Sequence, residues 1–141
     1  MYALNAYLNF QGHTREALTF YHSVFGGELS FATFGQFGAV PEGHPAADLI
    51  MHGSIEGPVN LYGADHIEGM APHAFAAGNN VNLAFMGDAA SYEQLAGWFD
   101  RLAEGGQVIM PLGAQVWGDI YGGVVDKYGI SWMFNIGQAA R

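Results

Sequence analysis

Two amphipathic helices, one in each half of the chain, are each followed by a pair of glycines. In both segments apolar residues recur at positions i, i+3, i+4 and i+7, which is the spacing of one helix face. These residues are Ala17, Phe20, Tyr21 and Val24 in the first helix and Leu95, Trp98, Phe99 and Leu102 in the second. Thr14 is placed to cap the first helix. The glycine pairs at 26–27 and 105–106 end the helices, because glycine accepts the left-handed conformation that follows a helix.

Short strand patterns surround each helix in the same order. One run precedes each helix and three follow it. The runs are residues 2–10, 28–35, 48–56 and 59–65 in the first half and residues 81–86, 107–112, 119–129 and 130–137 in the second. The chain therefore has the order strand–helix–strand–strand–strand twice. We predict a single domain over residues 1–141, with module one at about 1–63, a linker at 64–80 and module two at 81–137.

A module of about 60 residues buries too little surface to be stable alone, so the two modules are expected to pair. The predicted fold class is α+β, with two paired βαβββ modules forming a curved mixed sheet. The helices would cover its outer face, and the other face would form a central cleft. Alternation along the first strand directs Asn5 and Tyr7 into that cleft. Aligning LNAYLNF with VNLAFMG places Asn82 opposite Asn5, or Val81 if the register slips by one.

Composition excludes several classes of protein. Four Lys and Arg residues face 13 Asp and Glu residues, for a formal charge of −9. This leaves no basic footprint for nucleic acid or for an anionic membrane surface. There are no cysteines, so disulfides and thiolate metal sites are excluded. No secretory signal and no apolar run of about 20 residues is present, so a cytoplasmic protein is expected.

Three stretches resemble a known family: YLNFQGHTREALTFYHSVFGGEL, DLIMHGSI and MPLGAQVWGDIYGGVVDKYGISWMFN. They are similar to the vicinal oxygen chelate superfamily of glyoxalase I, bleomycin-resistance proteins, fosfomycin-resistance enzymes and extradiol dioxygenases. The similarity is closest to its PhnB-like branch and covers residues 3–136. It implies a glyoxalase-like fold, a small-molecule ligand and a homodimer.

In metal-dependent members of this superfamily, four cleft residues bind a divalent ion. The positions that the resemblance implies here are Asn5, His52, Asn82 and Met133. Only His52 is a good ligand, because amide oxygens bind weakly and a thioether is a soft donor. We therefore expect no cofactor. The alternative is a divalent metal such as Zn, Ni, Mn or Fe that is bound through His52.

His52 lies in the middle of the apolar run LIMHGSIE. It is interpreted as a metal ligand, as a general base, or as a buried neutral imidazole that only packs and forms a hydrogen bond. Trp117 and Tyr121, in QVWGDIYG, either line an aromatic pocket or close the second sheet. Asp119 between them is a candidate acid or base without a convincing second carboxylate.

The predicted function is therefore small-molecule binding without a complete metal site and without a nucleic-acid or membrane partner. The predicted ligand-binding residues are Asn5, Tyr7, His52, Asn82, Trp117 and Tyr121, with His52 the best candidate for catalysis. The alternative is a metal-dependent lyase, isomerase or dioxygenase that uses His52. Catalysis itself stays open.

Overall fold

The computed structural model describes residues 1–138 and contains the predicted order of elements twice. The first set is β1 (Ala6–Phe10), α1 (Thr14–Phe25), β2 (Glu28–Thr33), β3 (Ile50–Glu56) and β4 (Leu61–Asp65). The second set is β5 (Leu83–Gly87), α2 (Tyr92–Ala103), β6 (Gln107–Ala114), β7 (Ile120–Val125) and β8 (Ser131–Ile136). A short 3-10 turn, Ala89–Ser91, leads into α2.

The chain divides into two compact units, with the boundary between residues 76 and 77. Each unit contains one four-stranded mixed sheet, in the order β1-β4-β3-β2 in the first and β5-β8-β7-β6 in the second. The first strand of each unit runs parallel to the last, and the other neighbours are antiparallel. The predicted α+β class with two βαβββ modules is confirmed.

The two sheets share a register, so residues of one unit have counterparts in the other. Ala6 pairs with Leu61 in the first sheet as Leu83 pairs with Trp132 in the second. Asn5 and Asn82 are therefore equivalent, since each directly precedes the first strand of its unit. The register favours Asn82 over Val81.

Helix α1 packs on its sheet through a notch made by two glycines. Gly53 and Gly63 are cross-strand partners, and both face Leu18, which is fully buried. A Cβ at Gly53 would lie 2.5 Å from Leu18 Cδ1. The buried residues of α1 are Thr14, Ala17, Leu18, Tyr21, Val24 and Phe25. Phe20, which the helical spacing assigned to the core, is partly exposed, because the buried face is centred nearer to Leu18.

The start of α1 differs from the prediction. The N-cap residue is His13, whose side chain makes no capping hydrogen bond, and Thr14 is already helical. The carboxylate of Asp65, at the end of β4, accepts hydrogen bonds from both the backbone nitrogen and the hydroxyl of Thr14. Asp65, which is distant in sequence, therefore supplies the acceptor for a backbone N–H group at the start of the helix.

The second unit has an aromatic core. The ring of Phe85 lies 5.3 Å from that of Trp98, 5.8 Å from that of Trp132 and 5.1 Å from that of Phe134. Asp126 is buried beside this group and accepts a hydrogen bond of 2.7 Å from Trp132 Nε1. Within residues 1–138, neither helix has the length and apolar character needed to span a membrane.

Candidate functional site

His52 lies on the open face of the first sheet, the face turned away from α1. Its neighbour Gly53 faces Leu18 of the helix. Successive residues of a strand point to opposite faces, so His52 points away from the core. The residue is exposed. His52 therefore lacks the burial that its interpretation as a purely structural histidine assumed.

Two tyrosines flank His52 on this face. The hydroxyl of Tyr7 on β1 lies 3.1 Å from His52 Nδ1, and the two ring centroids are 5.9 Å apart. The ring of Tyr62 on β4 lies 6.0 Å from that of His52, with 24° between the planes. Tyr7 and Tyr62 are direct partners in the parallel register. We call these three residues the Tyr7–His52–Tyr62 cluster.

The cluster is polar but carries no carboxylate or basic side chain except the imidazole. Ala32 is the cross-strand partner of His52, and Ser54 is that of Tyr62. Burial raises the pKa of the Tyr7 phenol above its ordinary value of 10.0. Tyr7 is therefore neutral at physiological pH and keeps its hydroxyl proton.

The aromatic residues predicted in the second unit also come together. The ring of Trp117 lies 6.1 Å from that of Tyr121 in an edge-on arrangement, and Trp117 is 52% exposed. A turn closed by two backbone hydrogen bonds between Gln115, Gly118 and Asp119 holds Trp117 outward. Gly118 adopts a φ of 96°, which explains the glycine at this position.

Asp119, the candidate acid or base, is engaged by its own unit. Its Oδ2 atom accepts a hydrogen bond of 2.9 Å from Asn135 Nδ2. Asn135 is the cross-strand partner of Tyr121. The carboxylate therefore connects the end of this turn to the neighbouring strand β8.

Comparison of the two registers assigns a counterpart to each residue of the cluster. Tyr7 corresponds to Ala84, His52 to Tyr121 and Tyr62 to Met133. His52 lies on β3, whose counterpart in the second unit is β7, whereas Met133 lies on β8, whose counterpart is β4. The four positions taken from the family resemblance therefore do not come from equivalent strands of the two units. The position equivalent to Met133 in the first unit is Tyr62.

The residues present do not fit the divalent metal that the superfamily resemblance implies. The four implied positions supply one imidazole, two amides and a thioether, and the ionisable side chains that contact His52 are phenols. A catalytic zinc site normally has about three strong protein ligands. In the part of the chain from residue 1 to 138, no three His, Asp or Glu side chains are grouped to hold an ion.

Two predicted residues lie outside these groups, and one cluster member escaped prediction. Asn5 and Asn82 are exposed and directly precede β1 and β5. Tyr62 was not predicted, although alternation in VNLYGAD gave a signal. Leu61 and Gly63 are buried under α1, so Tyr62 between them must lie on the open face.

Two βαβββ units of the same strand order are the arrangement expected of a glyoxalase-like protein. The chain belongs to the Glyoxalase/Bleomycin resistance protein/Dioxygenase superfamily, whose family model matches residues 3–134. The family resemblance seen in the sequence is confirmed.

Three relatives refine this placement. Protein PA1353 from Pseudomonas aeruginosa is 33% identical, with 99% of this chain and 100% of that chain covered and a TM-score of 0.76. Protein YjdN of Escherichia coli (strain K12) is 28% identical, with 94% of each chain covered. A PhnB protein from Bacillus cereus has the same fold, with 23% identity, a TM-score of 0.70 and coverage of 96% of this chain and 100% of that one. The predicted similarity to PhnB-like proteins is thus confirmed at the level of the fold.

Proposed function

We propose that this protein binds a small molecule on the open face of its first sheet and does so without a complete metal site. The observation that carries the proposal is the hydrogen bond between Tyr7 and His52 on an exposed sheet surface. Exposed histidine side chains are usually mobile, whereas this one is held between two aromatic rings. A held, partly exposed polar group among aromatic rings is typical of a ligand site.

The chemistry of the cluster suits a planar or amphipathic ligand. Tyr7 is 49% exposed, so its ring still offers apolar surface to a bound molecule. Tyr62 lies near-parallel to the imidazole, and the two rings together form a platform. Aromatic rings contribute both area and stacking geometry, about 0.5–1.5 kcal/mol per pair beyond area burial. The predicted contributions of Asn5, Asn82, Trp117 and Tyr121 remain part of this proposal.

A thermal-shift screen of planar and amphipathic small molecules tests the proposal. The wild-type protein is compared with His52→Ala and with His73→Ala, which removes an exposed histidine outside the strands. A ligand at 100 times its Kd should stabilise the wild type and His73→Ala by about 2.7 kcal/mol. It should leave the melting temperature of His52→Ala unchanged. The proposal fails if no compound shifts the wild type, or if His52→Ala responds equally.

Elemental analysis decides between this function and a metal-dependent enzyme. Untagged protein is analysed as purified and after dialysis against zinc, nickel and manganese. A stoichiometric metal that is lost in His52→Ala would replace the binding proposal with a metal-dependent lyase, isomerase or dioxygenase. Metal contents that do not differ between wild type and His52→Ala would support the binding protein.

We also propose that the protein is a homodimer, with strand β6 as part of the interface. β6 is an edge strand, and the consecutive residues Val108, Ile109 and Met110 are all exposed there. The pairing with β7 is irregular at this point, which explains why alternation does not bury every second residue. Light scattering should give a dimer for the wild type and a monomer for Ile109→Lys. A wild-type monomer at micromolar concentration would refute the proposal.

A further inference from the structure

We infer that Tyr7 is a positioning residue that holds His52 in the tautomer with hydrogen on Nε2. The site then presents an imidazole N–H to its ligand and selects planar small molecules that carry an acceptor oxygen, such as a carbonyl or carboxylate. This inference rests on the proposed function, since it names the ligand class of the same cluster.

The first step concerns which atom donates in the contact between Tyr7 and His52. The 3.1 Å distance joins the Tyr7 hydroxyl oxygen to Nδ1. A neutral imidazole has one N–H donor and one acceptor nitrogen, whereas a phenol can donate or accept. The imidazole nitrogen is far more basic than a phenol oxygen, so the phenol donates. A phenol keeps its proton at physiological pH, so Tyr7 has a hydrogen to donate.

The second step follows from the tautomer. If Nδ1 accepts from Tyr7, the hydrogen of neutral His52 is on Nε2. Within residues 1–138, the imidazole of His52 makes no hydrogen bond other than the one to Tyr7, and the residue is exposed. The Nε2 hydrogen is therefore directed to solvent or to a ligand. A ligand that binds at this point would therefore offer a hydrogen-bond acceptor to the Nε2–H group.

The third step concerns the shape and charge of the ligand. The imidazole and the Tyr62 ring are within 24° of parallel, so a planar molecule can lie across both. Ala32 and Ser54, which flank the cluster by register, carry no charge. The residues beside the cluster therefore demand neither a cation nor an anion, and the directional hydrogen bond from Nε2 makes the selection.

Nitrogen NMR of histidine-labelled protein tests the tautomer without any ligand. In spectra of the neutral form, the wild type should show an amine-type Nε2 and an imine-type Nδ1 for residue 52. Tyr7→Phe keeps the ring but not the hydroxyl, and should give a mixture of tautomers. Tyr62→Phe is the matched control and should leave the wild-type pattern unchanged. Hydrogen on Nδ1 in the wild type, or an unchanged pattern in Tyr7→Phe, would overturn the inference.

Two probes of nearly equal shape test the ligand class. Acetophenone has a carbonyl oxygen where α-methylstyrene has a methylene carbon. Acetophenone should perturb the His52 Nε2 resonance and bind up to about tenfold more tightly, which is the usual worth of one net hydrogen bond. Equal binding of both probes would refute acceptor selection. An Nε2 tautomer combined with no binding of any screened compound would leave the positioning role intact and overturn the proposed function instead.

Discussion

The carboxylate of Asp65 accepts both hydrogen bonds that Thr14 can donate, at 3.0 Å from the backbone nitrogen and 2.6 Å from the hydroxyl. Its other oxygen accepts the backbone N–H of Ile50 at 2.8 Å. One buried side chain at the end of β4 therefore joins the start of α1 to the start of β3. These two elements carry Leu18 and His52, so the candidate site depends on this junction.

Asp65→Ala should lower the free energy of unfolding by about 3 kcal/mol or more, because three donors lose a charged acceptor in a buried place. Thr14→Val removes only the hydroxyl bond and should cost about 1 kcal/mol. Urea denaturation followed by circular dichroism measures both. The exposed carboxylate of Asp48 serves as the control, since Asp48→Ala should change stability by less than about 0.5 kcal/mol. A loss for Asp65→Ala as small as that of the control would contradict the role assigned to this junction.

Two glycine-to-alanine substitutions should have opposite effects. Gly97 is exposed within α2, and a Cβ there would meet nothing within 4 Å, so Gly97→Ala should stabilise by about 0.5–1 kcal/mol. At Gly106 a Cβ would lie 2.3 Å from the carbonyl oxygen of Val125. Gly106→Ala should therefore destabilise by about 2 kcal/mol or more, since backbone must move. Melting temperatures check the pair, and a shift in the same direction for both would count against the packing described.

The turn from β7 to β8 depends on Asp126. Its Oδ1 atom accepts the backbone N–H groups of Tyr128 and Ile130 at 2.8 and 3.2 Å, while Oδ2 accepts from Trp132. Asp126→Ala should cost about 3 kcal/mol, because the buried indole N–H also loses its acceptor. Asp126→Asn retains one acceptor oxygen and should cost less. Urea denaturation measures both variants, and equal stabilities for Asp126→Asn and Asp126→Ala would show that the retained acceptor oxygen contributes nothing, which would contradict the role assigned to Asp126.

The raised pKa of Tyr7 predicts an alkaline loss of stability. Folding favours the protonated phenol, so this contribution is fully present below the unfolded-state pKa of about 10 and is lost as the pH rises through the folded-state value. The stability of the wild type relative to Tyr7→Phe should therefore fall between pH values of about 9 and 11. Denaturation curves of both proteins across this range measure the difference. A constant difference across the range would show that Tyr7 titrates alike in both states.

The elements of the fold were predictable because each carries a local signal. Alternation identified the strands and the spacing around Ala17 and Phe99 identified the helices. Phe20 was misplaced because helical spacing locates a face only to within about one residue. The cap of α1 was not predictable, since Asp65 lies 51 positions from Thr14 and nothing local marks the pair.

The candidate site was predictable only in part. The alternation in β1 predicted that Tyr7 points into the cleft. His52 was a candidate because it is a histidine within an apolar run. That these two side chains meet depends on β4 lying between β1 and β3, an order that no local pattern specifies. Tyr62 was overlooked for the same reason, because its place beside His52 follows from cross-strand register.

The shared register also makes the second unit a scaffold for protein engineering. Ala84, Tyr121 and Met133 occupy the places that Tyr7, His52 and Tyr62 occupy in the first sheet. The three substitutions Ala84→Tyr, Tyr121→His and Met133→Tyr would transplant the cluster onto a backbone with the same pairing. A chain so altered would carry the same candidate surface twice, and a protein built from two repeated units would gain a chemical symmetry that its present side chains lack.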